Sequence, residues 1–224
     1  MSALAELEPA VRALLDRYAA ALLEATADVN LTAARDADAV AEHIADALAI
    51  APYVKGPLVD VGSGGGLPGI PLAIATGYPV TLVESTGKKA RFLERVVAEL
   101  GLAVRVVDAR AEVAGHDDTL RGRFAAATAR AVGSLPTVLE LTMPLLAVDG
   151  VAILQRGVVD ERERFAATDA VRMLGGTLAE EILQTGGKRV LLFRKTAETP
   201  QRFPRRVGVP AKRPLCYSPR ESAP

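Results

Sequence analysis

Eleven consecutive residues concentrate the chemistry of this 224-residue chain: Val59-Asp60-Val61-Gly62-Ser63-Gly64-Gly65-Gly66-Leu67-Pro68-Gly69. The apolar strand pattern Pro57–Val61 leads into the glycines, and an apolar helical pattern from Pro68 to Ala75 follows them. In an open α/β sheet, ligands bind outside the carboxyl ends of the strands. Glycines there let the backbone approach a ligand and take positive φ. Two cofactors compete for the loop. Gly64-x-Gly66-x-x-Gly69 fits a dinucleotide, whereas Asp60-x-Gly62-x-Gly64-x-Gly66 fits the acidic-x-G-x-G-x-G loop of S-adenosylmethionine (SAM) enzymes. Pyrophosphate would sit on the helix N-terminus. SAM carries no phosphate, and a carboxylate at Asp60 suits its cationic methionine end. Glu84 closes the next strand pattern, where a carboxylate can accept both ribose hydroxyls of either cofactor.

Other side chains are candidates for substrate contact. Arg130 follows the fourth strand pattern, at the expected mouth of the pocket, where it could bind a carboxylate or phosphate, or stack on a base. Asn30 and His43 lie in the N-terminal helical region. Lys88 and Arg91 open a helix beside the loop; basic residues there oppose the helix dipole, a disadvantage that a phosphate partner would offset. One cysteine, Cys216, and two histidines, His43 and His116, offer neither a nucleophilic triad nor a metal centre, so no metal is expected.

The elements that must position these residues follow from hydrophobic period. Helical spacing over 4–25 and from about 36 to 50 predicts an N-terminal helical extension, 1–52. Strands are predicted at 57–61, 80–83, 104–107, 124–128 and 151–154. Helices are predicted at 88–100, 135–146 and 161–174. The runs 178–183 and 190–194, joined by Gly186-Gly187, read as a hairpin. The expected fold is α/β: a Rossmann-like, mostly parallel sheet with helices on both faces and an antiparallel C-terminal hairpin. That hairpin tips the cofactor choice toward SAM.

A single domain, 1–196, is expected, followed by a basic, proline-rich, flexible tail, 197–224. Residues 1–187 carry 17 Lys+Arg against 25 Asp+Glu, and residues 188–224 carry 10 against 2. Such asymmetry suggests a polyanion-binding end on an acidic body. Lys212 and Arg213, with Arg202, Arg205, Arg206 and Arg220 and the interleaved Phe203 and Tyr217, would contact phosphates and unpaired bases. Removing everything after Thr196 is expected to leave SAM affinity nearly intact and to weaken RNA methylation, especially at higher salt. No apolar run reaches the ~18 residues of a membrane span, and the acidic, amphipathic N-terminus is unlike a signal peptide. A cytoplasmic monomer is expected.

Nearly the whole chain resembles the bacterial small-subunit (16S) ribosomal RNA guanine-N7 methyltransferase G family, formerly called glucose-inhibited division protein B. The resemblance rests on Asn30-Leu31-Thr32, on His43-Ile44-Ala45-Asp46, on the glycine loop running on into Leu67-Pro68-Gly69-Ile70-Pro71-Leu72, on Gly87-Lys88-Lys89-Ala90-Arg91-Phe92-Leu93, on Arg110-Ala111-Glu112, on Ala129-Arg130-Ala131, and on Gly208–Leu215. It implies SAM contacts at Gly62, Leu67, Ala111, Glu112 and Arg130, Glu84 as the ribose carboxylate, and N7 of a guanine in 16S rRNA as the methyl acceptor. Ala47 stands where the family often has serine, and Glu84-Ser85-Thr86-Gly87 replaces its usual Asp-Ser-Leu-Gly. Guanine N7 has a lone pair and no proton, so the reaction needs positioning rather than a base. A small-molecule methyltransferase, an NAD-linked oxidoreductase and a SAM-sensing RNA-binding module remain as alternatives.

Overall fold

A computed structural model describes residues 7–27, 29–130 and 132–215. The N-terminal helices form where apolar residues recur every three or four positions. Helix α1 (Pro9–Thr26) starts on a proline, whose missing N–H has no partner to lose in the first turn, and buries Leu15, Tyr18 and Leu22. Helix α2 (Ala37–Leu48) is capped by Asp36, whose carboxylate accepts the Ala39 N–H at 2.8 Å, and it buries Val40, Ile44 and Ala47.

The period then shortens. Strand β1 (Leu58–Val61) is buried at all four positions and β2 (Val80–Glu84) at all five, as expected of strands covered on both faces. Helix α3 (Gly69–Thr76) and helix α4 (Gly87–Leu100) follow them, and α4 stops where Gly101 takes φ +64°. Strand β3 (Val104–Asp108) lies beside β2. The order continues with α5 (Ala111–Ala114), β4 (Phe124–Thr128), α6 (Leu135–Thr142), β5 (Leu146–Arg156), α7 (Glu161–Met173), β6 (Gly176–Leu183), β7 (Arg189–Lys195) and α8 (Val209–Lys212).

The strands form a seven-stranded sheet in the order β3-β2-β1-β4-β5-β7-β6. β1 and β2 pair in parallel with Val61 opposite Val83, and β2 and β3 with Glu84 opposite Asp108. β7 runs antiparallel to both β5 and β6. Gly186 and Gly187, at φ +73° and +76°, make the turn of the expected hairpin. The Rossmann-like fold is therefore the one the sequence predicts. Among the boundaries that differ, α6 ends at Thr142, not Leu146. Pro144 lacks the N–H a helix needs, residues 143–145 tighten into a 3-10 turn, and β5 begins at Leu146, five residues before the expected Val151.

By their contacts the residues divide into two compact units. The first runs through Ala111 and includes Thr128–Arg130; the second comprises Glu112–Ala127 and the chain after Arg130. In the first, α1 packs on α2, α3 and α4. In the second, α6 packs on α7 and α8.

Residues 197–215, expected to be part of a flexible tail, pack into the second unit. Their basic side chains do not all face water. Arg205 forms a bidentate pair with Glu140, a carboxylate with no exposure, and also donates its backbone N–H to it. Arg121 donates to the carbonyls of Thr199 and Phe203, and His116 Nε2 donates to the Pro204 carbonyl at 2.7 Å. Phe203, Pro210 and Leu215 are buried. This segment supplies core side chains and the partner of a buried carboxylate, so its removal at Thr196 is expected to cost stability. Cys216, Tyr217 and Arg220 lie outside the described residues.

Candidate functional site

Every residue around the glycine loop described next belongs to the first unit. The loop leaves β1 in a tight turn. The Val83 carbonyl accepts the N–H groups of both Gly62 and Ser63, and Gly66 N–H bonds back to the Ser63 carbonyl at 2.7 Å. Gly62, Gly64 and Gly66 take φ values of +70°, +57° and +97°. At Gly66 a Cβ would also lie 2.5 Å from Ile70 Cδ1. At Gly69 it would lie 2.4 Å from Leu82 Cδ2 and 2.8 Å from Asp60 Oδ2. Glycine is thus required at both positions, at Gly69 purely by close packing of α3 on β1 and β2.

Asp60 and Glu84 hold the loop from opposite sides. Asp60 is fully buried; its Oδ2 accepts the Gly69 N–H at 3.1 Å, and its backbone carbonyl accepts the Ser63 hydroxyl. Burial pushes its carboxyl up to about 7, against the pull of the Gly69 and Ser63 hydrogen bonds. Asp60 Oδ1 has no hydrogen-bond partner among the described residues. Glu84 Oε2 accepts the Gly64 N–H at 2.8 Å and Oε1 the Thr86 N–H at 2.7 Å. Each Glu84 oxygen keeps a lone pair beyond its backbone bond, which suits a vicinal diol.

The same network separates the two cofactors that the sequence left in competition. Pyrophosphate needs free N–H donors at the start of a helix. At the start of α3, Gly69 N–H goes to Asp60, Ile70 N–H to the Gly66 carbonyl and Leu72 N–H to the Pro68 carbonyl. Pro71 has no N–H. The anion site is saturated from within, while the diol acceptor at Glu84 remains.

The N-terminal helices form one wall of the loop. Tyr18, fully buried on α1, donates its hydroxyl to the Gly65 carbonyl at 2.9 Å. A Cβ on Gly65 would meet Leu22 Cδ1 at 2.7 Å and the Leu31 carbonyl at 3.2 Å. Leu31 of Asn30-Leu31-Thr32 is thus the residue that touches the loop, and Asn30 beside it is exposed. By helical spacing alone Tyr18 is one more position on the buried face of the 4–25 helix. A tyrosine in an otherwise aliphatic stripe was the available signal, since a buried hydroxyl must find an acceptor.

Two of the predicted residues meet directly. Arg130 Nη2 donates to His43 Nδ1 at 3.0 Å. A guanidinium only donates, so Nδ1 is the unprotonated ring nitrogen. Arg130 Nη1 is buried without a partner among the described residues. Lys88 and Arg91 are exposed on the first turns of α4, and Ala111 opens α5. Glu112, Lys212 and Arg213 belong to the second unit. The Glu112 side chain is buried and accepts the Gly208 N–H at 2.8 Å, so it anchors the segment leading into α8. Lys212 and Arg213 are exposed at the end of that helix.

The sequence profile of the family described as rRNA small subunit methyltransferase G matches residues 12–191. The chain belongs to that family. A ribosomal RNA small subunit methyltransferase G of Rubrobacter xylanophilus is 45% identical over 170 residues, 71% of this chain and 65% of the relative. Its namesake in Synechococcus elongatus is 42% identical over 168 residues, 72% of this chain and 69% of that one. The chain thus aligns with about two thirds of the length of these relatives. Among solved structures, a variant of MtNAS in complex with S-adenosylmethionine superposes with a TM-score of 0.55 at 17% identity, covering 83% of this chain and 73% of the other. The Burkholderia thailandensis 1,6-didemethyltoxoflavin-N1-methyltransferase with bound S-adenosylhomocysteine gives 0.53 at 19%, covering 83% and 88%. At these identities the superpositions establish the fold. The cofactor of this family is SAM, which agrees with the saturated anion site of α3.

Proposed function

We propose that this chain transfers the methyl group of SAM to N7 of a guanine in the 16S rRNA of the small ribosomal subunit, acting as a cytoplasmic monomer. The observation that carries the reading is the Glu84 carboxylate, fixed by Gly64 and Thr86 with a lone pair left on each oxygen, in a chain of this family. SAM supplies an electrophilic methyl group on a sulfonium. The N7 lone pair forms the new C–N bond as the C–S bond breaks. The positive charge moves to the guanine and no proton is transferred.

The protein's contribution is positioning, worth roughly 7–11 kcal/mol in favourable cases. Gly62, Gly64, Gly66 and Leu67 form the backbone surface for the nucleoside, and Glu84 accepts its ribose hydroxyls. Ala111 and Glu112 contribute through the backbone, since the Glu112 carboxylate is engaged by Gly208. Arg130 is the catalytic residue of this reading: held by His43, it keeps Nη1 for a carboxylate or phosphate oxygen of the bound reactants. His43 is a positioning residue that acts through Arg130. Asn30, Lys88, Arg91, Lys212 and Arg213 are exposed donors for the RNA.

The test is transfer of labelled methyl from SAM to small-subunit particles from a strain lacking this protein, with Arg130→Ala and Glu84→Gln alongside. The reading expects label in RNA for the natural chain. It also expects weaker SAM binding by Glu84→Gln, and reduced turnover with smaller change in SAM binding by Arg130→Ala.

A further inference from the structure

Cations of the second unit divide into two sets. Arg121 is engaged by backbone carbonyls, Arg205 by Glu140, Arg189 by Glu181, and Lys195 by the carbonyls of Met143 and Leu146. Arg202 and Arg206 are exposed, and among the described residues neither guanidinium has a hydrogen-bond or ion-pair partner. Both line one groove of about 610 Å³, built wholly from residues of the second unit. Its apolar wall includes Val113, Pro204 and Val207, and Val113 and Val207 are more than half exposed. Arg202 lies over the Phe203 ring, 4.9 Å from its centroid, which limits where its guanidinium can swing. The acid in the groove wall, Glu112, is buried and bonded to Gly208, and the third arginine, Arg205, is neutralised by Glu140.

An apolar wall beside two unpaired guanidiniums calls for a ligand that is flat and apolar at one end and anionic at the other. A nucleotide has that chemistry: bases stack on guanidinium planes and apolar surfaces, and phosphates pair with arginine. The volume lies in the range of small-molecule sites. The charge asymmetry favours a polyanion, because the excess positive charge of the chain is confined to residues 188–224. We infer that this groove is an RNA-docking subsite, in which Arg202 and Arg206 hold the backbone of an unpaired stretch of the substrate RNA and the Val113–Pro204–Val207 wall takes a base. The inference rests on the rRNA reading above and adds a site outside the glycine loop. In the sequence Arg205 is one more basic residue beside these two, but its pairing with Glu140 removes it from the set.

The experiment compares the natural chain with Arg202→Glu/Arg206→Glu and the milder Arg202→Gln/Arg206→Gln. Lys55→Glu/Arg105→Glu, at exposed positions of the first unit, is the charge-matched control. SAM affinity is measured by calorimetry, and methylation of small-subunit particles across a salt series. The expected result is unchanged SAM affinity and a KM for RNA raised about tenfold or more at physiological salt. The slope of log KM against log salt should also fall by about 1.4, roughly 0.7 for each of two single-strand phosphates. The Gln pair should show a smaller loss in the same direction. A KM and slope equal to the natural chain's would overturn the subsite, as would an equal loss in the control. Either result leaves the methyl-transfer reading intact. Failure of the natural chain to label any RNA would instead sink that reading, and this inference with it.

Discussion

Tyr18 and Gly65, forty-seven residues apart, are joined by a 2.9 Å hydrogen bond from a fully buried phenol to a carbonyl of the glycine loop. Burial, with Asp60 nearby, holds the phenol well above its ordinary pKa, so it stays a donor across the working pH range. The N-terminal helices are therefore tied to the glycine loop by a buried hydrogen bond as well as by packing. Tyr18→Phe keeps the ring and strands the Gly65 carbonyl, at about 1–3 kcal/mol for an unsatisfied buried acceptor. The expected outcome is a Tm a few degrees lower and SAM binding weakened roughly three- to tenfold. Unchanged SAM affinity by calorimetry would show that the loop does not need this tie.

Glu84→Gln replaces an oxygen by an NH2 group. The carboxamide has one acceptor atom for two backbone donors, so either Gly64 or Thr86 is left facing a donor. Charge-assisted hydrogen bonds of this kind contribute about 1.5–3 kcal/mol. SAM affinity should fall roughly 10- to 150-fold. A change under threefold would argue that the ribose binds elsewhere.

Asp60 makes a pH prediction. Its carboxyl titrates near 7 in the folded chain and near 3.8 when unfolded, with burial as the leading cause. Between those values the folded state binds the extra proton, so stability is greatest below about pH 4 from this group and is lost as pH rises to about 7. The difference is on the order of 4 kcal/mol. Asp60→Asn keeps an oxygen for Gly69 and cannot ionise. Its stability relative to the natural chain should therefore rise from pH 4 to pH 7 and then level off. Denaturant titrations at several pH values would show this, and parallel stability curves would contradict it.

The Arg205–Glu140 pair predicts the fate of C-terminal truncation. Removing one partner of a buried ion pair typically destabilises by about 3–5 kcal/mol. Arg205→Met should lower Tm by roughly 10 °C, and a chain ending at Thr196, which also loses Phe203, Pro210 and Leu215, should not fold stably. A truncated chain with natural Tm and SAM affinity would contradict the assignment of 197–215 to the folded unit.

The strand–loop–helix order and the Glu84 position were legible because they depend on local period and on one strand's length. The glycine pattern could not separate SAM from a dinucleotide. That distinction lies in where the α3 donors go, and Asp60 occupies Gly69 N–H only once β1 and α3 are packed. The Arg130–His43 contact joins residues 87 apart, which spacing along the chain does not encode. Segment 197–215 is not legible as ordered, because the six prolines among residues 197–224 suppress helical and strand period. Its order comes from single side chains such as Phe203 and Arg205 reaching distant partners.

The most direct measurement is the identity of the methylated nucleoside. Small-subunit particles from a strain lacking this protein are incubated with the purified chain and labelled SAM, and the RNA is digested and resolved by mass. The account predicts label in 7-methylguanosine of 16S rRNA, abolished or sharply reduced by Glu84→Gln. Label in any other nucleoside, or tight SAM binding with no label in RNA, would contradict it.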